Sequence, residues 1–490
     1  MVSRQDSTQS PQRVSTDARR SASQPATFAL ELARRVNALR YEDLPAAAVN
    51  WARVGILDLV GVALAGANEE ATRIVRELVL RGAAGGPAVV FGRDLRINAL
   101  DAALVNGIAA HVLDFDDCSN TMGGHPSASI LPALFAAAEE GGASGRDFIA
   151  AYIAGIEVDC KFSLGVNFYQ YNKGWHPTMT IGIFGCTAAC AKLLKLSDEQ
   201  TATALGIAAS LAAGVKSNFG TMVKPLHVGH CARSALFAAQ LARDGFTASA
   251  NAFEHHHGYF NAFNGEGNYD ASRILPAWAN PLDVMRPGIT IKLYPCCGAT
   301  HSAIEAAVAL AVEHDLEPES IERVDVLVHS RRIGHTNRPE PRTPLDAKFS
   351  LQYCVARALT DRRITVEHFE GNALEDPALQ RLLPKVHAGT YTAEHFPEEH
   401  HFGAVVTATT RSGQVFTHKV FFQLGRTVDI PAPPELLKGK FENCAARVLP
   451  RERIAEVHAA VQRFEQLPDV RELTRLLAVD GARSRRVAAA

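Results

Sequence analysis

Between Ala26 and about Phe263 the chain is rich in alanine, and its apolar residues recur at helical spacing in one segment after another. These segments include Thr27 to Leu39, Ala46 to Leu64, Thr72 to Leu80, Ala99 to Leu113, Arg146 to Gly155, Asp198 to Ala213 and Ala232 to Ala242. Periodicity of this kind, sustained over half a chain, predicts that the half is nearly all helix. Small residues on the same segments, as in Ala204 to Gly214, let neighbouring backbones approach closely. Tightly packed, buried helices are therefore expected rather than a surface layer.

After Pro281 the pattern changes. Arg323 to His329 alternates polar and apolar as a strand does, and Ala404 to Thr410 with Val415 to Phe422 reads as a hairpin turning at Ser412-Gly413. Asp346 to Leu359 lies between them and predicts a helix. A chain of 490 residues suits two folding units. The expected architecture is mainly α: a large all-helical domain over 26–282 and a smaller α+β lid domain over 283–431. The Pro-Ala-Pro-Pro run at 431–434 reads as a hinge, after which residues 432–481 return as helices to the first domain. Without a fixed-period repeat or heptads, solenoid and coiled-coil folds drop out.

Charge and composition narrow the partners. Fifty Lys and Arg residues balance 52 Asp and Glu, so no broad basic face invites nucleic acid. Nine cysteines, an odd set with no C-x-x-C pair, point to a reducing compartment, taken as the cytoplasm. The longest uncharged stretch, Gly174 to Ala191, holds a histidine, a proline and several threonines and glycines, and reads as a buried helix rather than a membrane span. Residues 1–25, rich in Ser, Gln, Thr and Arg, read as a disordered tail ahead of an organellar transit peptide.

Three segments share one grammar: His125-Pro126-Ser127, His176-Pro177-Thr178 and Lys224-Pro225-Leu226. Proline favours the first helical position and pushes the residue before it out of the helix, so each basic side chain is expected just outside a helix start. Unpaired N–H groups and the positive end of the helix dipole collect there. Such residues often merely cap or pack, and Pro132 is an alternative start for the first helix. Three together favour a pocket for carboxylates with imidazoles available for proton transfer.

Asp114, Asp116 and Asp117 follow a helix, at the unfavourable end of its dipole, which hints at a use. Asp114 or Asp117 is expected to orient an imidazole, while Asp116 reads as part of a solvated turn. Lys292, Cys297 and His301 open the lid unit near the domain junction, where pockets usually form. Adjacent Cys296 and Cys297 lack a third cysteine at iron–sulfur spacing, and the acidic turn lacks regular ligand spacing, so no metal and no cofactor are expected. Glu254-His-His-His257 reads as a surface turn, because neighbours in a helical run point different ways. Dinucleotide, Walker, H-E-x-x-H and G-x-S-x-G motifs are missing from the sequence.

The ordered set Asp114-Phe-Asp-Asp117, Gly124-His-Pro-Ser127, Gly174-Trp-His-Pro177, Gly220-Thr-Met-Val-Lys-Pro225 with His227 and Gly229, and Lys292-Leu-Tyr-Pro-Cys-Cys297 resembles the MmgE/PrpD family. The likeness runs from about Ala26 to Ala478. It implies a homodimer with a helical domain and an α+β lid, and chemistry of the kind seen in 2-methylcitrate dehydratases, cis-aconitate decarboxylases and iminodisuccinate epimerases. Carried over by motif, Asp114, His125, His176 and Lys224 would line the active site, with Cys297 and His335 nearer its edge. Cys118 stands where a decarboxylase-like member has threonine. Cys297 stands where animal decarboxylases have histidine and fungal decarboxylase-like members also read Cys-Cys-Gly.

The resemblance implies a lyase of a small polycarboxylic acid that forms a carbanion or enediolate beside a carboxylate. His125 or His176 would move the proton, Lys224 would clamp carboxylates and Asp114 would orient an imidazole, with Lys292, Cys297, His301, His335 and Cys118 contacting substrate. Dehydration is placed slightly ahead of decarboxylation. An aminodicarboxylate epimerase is the alternative, and a non-catalytic carboxylate-binding or scaffold protein the alternative of another class.

Overall fold

The computed structural model describes residues 26–82, 85–397 and 400–479. The expected tail at 1–25 lies outside them. The chain is mainly helical, as the periodicity predicted, with Phe28–Ala38, Ala46–Gly66, Glu70–Leu80, Ala99–His111 and Asp198–Leu211 close to their expected bounds, whereas Gly145–Val166 runs well past the expected end at Gly155 and Val223–Arg243 starts well before the expected Ala232. Local chemistry sets their ends. Asn98 caps Ala99–His111 by accepting from the Asp101 N–H at 2.9 Å, and Ser197 with Gln200 forms a capping box on Asp198–Leu211.

Two expectations for the helical half change. Gly174 to Ala191 is not one helix but two, Pro177–Thr180 and Gly182–Leu193, broken at Ile181. The helical region also holds a small hairpin, Gly85–Val89 with Arg96–Ile97, and a two-residue strand, Cys118–Ser119, that pairs with Ile289–Thr290. That second pairing fastens the acidic loop after Asp114 to the segment carrying Lys292.

Buried apolar residues form one large cluster drawn from Phe28 to Ile291 together with Phe441 to Val479, so the C-terminal helices pack with the N-terminal ones. A second cluster runs from Cys296 to Ala408. Its sheet has the order Val386–Thr390, Ile321–Val328, Ala404–Thr410, Val415–Val420, with the first pair parallel and the others antiparallel. The edge strand Val386–Thr390 escaped the sequence reading because Val-His-Ala-Gly-Thr has no apolar alternation. The expected helix from Asp346 is split into Pro344–Ala347 and Leu351–Asp361. Lys348 lies in the break.

Ala46–Gly66 is long and apolar enough to cross a membrane by composition, yet it is a core helix: Asp58 in its middle meets the Lys440 ammonium at 2.5 Å. Close approach of Ala99–His111 and Val223–Arg243 brings the loop after His111 to Lys224, and glycine makes it possible. A Cβ on Gly229 would lie 2.3 Å from the Leu104 carbonyl oxygen. Gly229→Ala is expected to cost about 1–3 kcal/mol or more through overpacking, read as a lowered urea midpoint at unchanged slope.

Candidate active site

Asp114 follows the helix Ala99–His111 in left-handed backbone conformation, with φ of 52°. Such a conformation is strained for aspartate and persists where surroundings hold it. Here three buried lysines do so. Lys348 Nζ donates to the Leu113 carbonyl at 2.8 Å, Lys292 Nζ to the Asp114 carbonyl at 2.8 Å, and Lys440 Nζ to the Phe115 carbonyl at 2.7 Å. Three successive carbonyls at a helix C-terminus thus each receive an ammonium, which suits the negative end of the dipole. The lysines come from the break after Pro344–Ala347, the segment before the second core and the helix Pro434–Ala445.

The Asp114 carboxylate is shared by two cations: Lys224 Nζ lies 2.6 Å and Lys292 Nζ 3.0 Å from its Oδ1. Burial pushes this carboxyl up, but the two ammoniums outweigh it and hold the group well below the usual carboxylate range. Sequence reasoning put Lys224 just outside a helix and gave Asp114 an imidazole. Instead Lys224 is the second residue of its helix, whose cap is Met222, and it is Asp114's main partner. The His125 Nε2 is 3.9 Å from Asp114 Oδ1, beyond a hydrogen bond.

Asp116 takes the imidazole role. It is fully buried rather than solvated, and its carboxylate accepts from His111 Nδ1 at 2.8 Å and lies 3.1 Å from His125 Nδ1. His125 is the residue just before the helix Pro126–Gly141 and makes no side-chain cap hydrogen bond, with Pro132 inside that helix rather than starting it. Its Nδ1 is 2.7 Å from the Asp117 carbonyl, which can only accept, so Nδ1 carries the hydrogen and Nε2 is left for chemistry. Asp117, pushed up to about 8 by burial, accepts from Ser127.

His176 stands just outside Pro177–Thr180, as expected, makes no side-chain cap hydrogen bond and is buried, with Nδ1 3.1 Å from His227 Nδ1. Burial, then the Lys224 charge, pushes it well below its ordinary value, so it is neutral. Its ring is 6.2 Å from that of His111, which is 4.5 Å from that of His125. His111 was missed as a site residue. Its only signal was a histidine closing the helix before the acidic turn, and its buried Nε2 makes no hydrogen bond.

Burial pulls His111 down to about 4 from 6.5 and His176 in the same direction. The unfolded chain therefore binds more protons between pH 6.5 and about 4, so stability is full above that window and falls as pH drops through it. His111 alone accounts for roughly 3 kcal/mol. Asp117, raised by burial, works in the opposite direction, so the histidine contribution is read as a difference: between pH 7 and pH 4.5 the urea midpoint of His111→Gln should fall less, or rise more, than that of the wild type.

The remaining candidate residues divide. Cys118 is half-buried on the strand paired with Thr290, and burial raises the thiols of Cys118 and Cys297. His335, in Ser330–Thr336, is pulled down to about 4 by burial and by Arg332, Lys216 and Arg338 nearby. His301 is placed in the second core: its Nε2 donates to the Cys296 carbonyl at 3.3 Å and its ring packs edge-on to Tyr294.

Among the described residues, two groups have metal-ligand spacing. His111, Asp114, Asp116 and His125 offer ligand atoms within 4.8 Å of one another, but two ammoniums and two imidazoles already occupy those carboxylates. His255, His256 and His257 are exposed on a turn, as expected, although their rings converge, with centroids 3.7 to 5.5 Å apart.

Comparison with known proteins places the chain in a family. The MmgE/PrpD N-terminal domain model matches residues 30–272 and the MmgE/PrpD C-terminal domain model residues 294–466. The chain is 30% identical to a cis-aconitate decarboxylase of Mus musculus over 90% of this chain and 91% of that protein. It is 31% identical to that of Homo sapiens, over 86% and 88% respectively. A cis-aconitate decarboxylase-like protein of Aspergillus oryzae is 28% identical over 91% of this chain and 96% of its own.

Proposed function

The chain belongs to the MmgE/PrpD family, and from that premise we propose that it is a carboxy-lyase that releases carbon dioxide from an unsaturated tricarboxylic acid of the cis-aconitate kind. One observation carries the reading: a buried carboxylate shared by Lys224 and Lys292 beside imidazoles set on Asp116, in a chain of decarboxylase-like sequence. The relatives favour decarboxylation over the dehydration first preferred from sequence.

Loss of carbon dioxide from a carboxylate one carbon away from a double bond leaves its electron pair to spread across that bond into the neighbouring carboxylate. The remaining N–H groups of Lys224 and Lys292 stabilise that developing charge, and their positions are set in advance by Asp114. The second step is proton delivery to carbon. His125 is the carrier: Nδ1 is fixed by the Asp117 carbonyl with Asp116 behind it, so a proton can leave from Nε2 and be replaced there. His176, held neutral, donates a hydrogen bond or orients the substrate. The α+β unit acts as a lid, because Lys348 reaches from it, and Lys292 from the segment leading into it, to the Asp114 loop, and closure would exclude water.

The test is incubation with cis-aconitate, 2-methylcitrate and iminodisuccinate in heavy water, followed by NMR. Release of carbon dioxide from cis-aconitate with one deuteron added to carbon is the expected result. Dehydration of 2-methylcitrate alone, or exchange with inversion alone, would overturn it.

A further inference from the structure

Among the described residues of the lid region, two arginines are almost fully buried, and they differ in one respect. Arg357 Nη1 meets Asp361 at 3.0 Å and Asp376 at 2.7 Å, whereas Arg426 has no carboxylate within ion-pairing distance among the described residues. The Arg426 guanidinium lies over the Phe402 ring at 3.4 Å, donates from Nη2 to Asn120, and leaves Nε without a hydrogen-bond partner. Burial pulls it down to about 9, and the neighbouring Arg332 charge adds to that. It is still protonated at neutral pH. A buried charge this poorly compensated is costly unless a partner meets it.

Its position gives that cation a use. Asn120 lies on the loop between Asp117 and His125, beside the strand Cys118–Ser119. That strand pairs with Ile289–Thr290, and Thr290 Oγ1 donates to the Arg426 carbonyl at 2.6 Å. Arg426 therefore joins the loop of His125 and the segment of Lys292 from the lid side. Within the cluster, Lys224 and Lys292 are balanced by Asp114 and Asp116 and Lys440 is paired with Asp58, which leaves Lys348 in excess, while burial keeps His111 and His176 neutral. A tricarboxylate brings more negative charge than one excess ammonium offsets, and a guanidinium fork is suited to take one carboxylate by two hydrogen bonds.

We propose that Arg426 binds a carboxylate of the substrate remote from the reacting one, forming a second anion position on the lid side that selects tricarboxylates over dicarboxylates. The assignment rests on the polycarboxylate reading above. Its test measures binding by calorimetry with two unreactive probes, tricarballylate and glutarate, which differ by one carboxylate.

The wild-type chain should bind tricarballylate at least about tenfold more tightly, the scale of one added charge-assisted hydrogen bond. Arg426→Gln should lose that preference, weakening tricarballylate about tenfold and glutarate by less than about threefold. If R426Q fails to fold, R426K carries the test by the same comparison, since lysine lacks the fork. Equal affinity of variant and wild type for both probes overturns the proposal and leaves the polycarboxylate reading intact. A wild-type protein that binds neither probe overturns both.

Discussion

Replacing His125 by glutamine is expected to lower kcat by about a hundred- to ten-thousandfold, the usual worth of a positioned proton carrier. The substitution keeps a donor near the Asp117 carbonyl but removes the ring that presents Nε2 3.9 Å from Asp114. Because Asp114, Lys224 and Lys292 remain, substrate affinity should change little, and the loss should fall on kcat rather than KM. Carbon dioxide release from cis-aconitate measures it, with circular dichroism confirming the fold. Turnover within tenfold of wild type would move the proton-carrier role to His176.

The second large effect is on stability. Lys440→Met should cost about 3–5 kcal/mol, because it removes one partner of a buried ion pair and leaves Asp58 behind. Burial already pushes the Asp58 carboxyl up against the pull of Lys440, and neither Asp58 oxygen has another hydrogen-bond partner. The same ammonium donates to the Phe115 and Lys292 carbonyls at 2.7 Å each, so the loop that sets Asp114 loosens as well. Urea denaturation should show the loss, together with a raised KM. The paired change Asp58→Leu with Lys440→Met should recover most of the stability but not the KM, since the carbonyls still lack their donor. Recovery of both would show that Lys440 only balances a charge.

These predictions draw on residues of unequal legibility. His125 and His176 were readable because a proline after a basic residue is a local signal: it sets the helix start whatever the rest of the chain does. Lys224 carried the same signature, yet its helix begins one residue earlier and its partner is an aspartate from over a hundred positions away. Asp116 looked like a solvated turn because three nearby acids usually are one. Two imidazoles, one of them on the preceding helix, make it a buried hub instead.

By itself, then, the sequence determined the mainly helical class, the change to a mixed region after Pro281, the helix-start histidines and the family, all of which follow from short-range periodicity or ordered motifs. Only the tertiary structure decided which charge meets which. Lys348, Lys440 and Arg426 carry no local mark, and their roles arise because chain segments far apart in sequence converge on carbonyls 113 to 115 and on the loop before His125. In a buried site of low dielectric the partner of a charge sets its energy, and partners are fixed by packing rather than by neighbours along the chain.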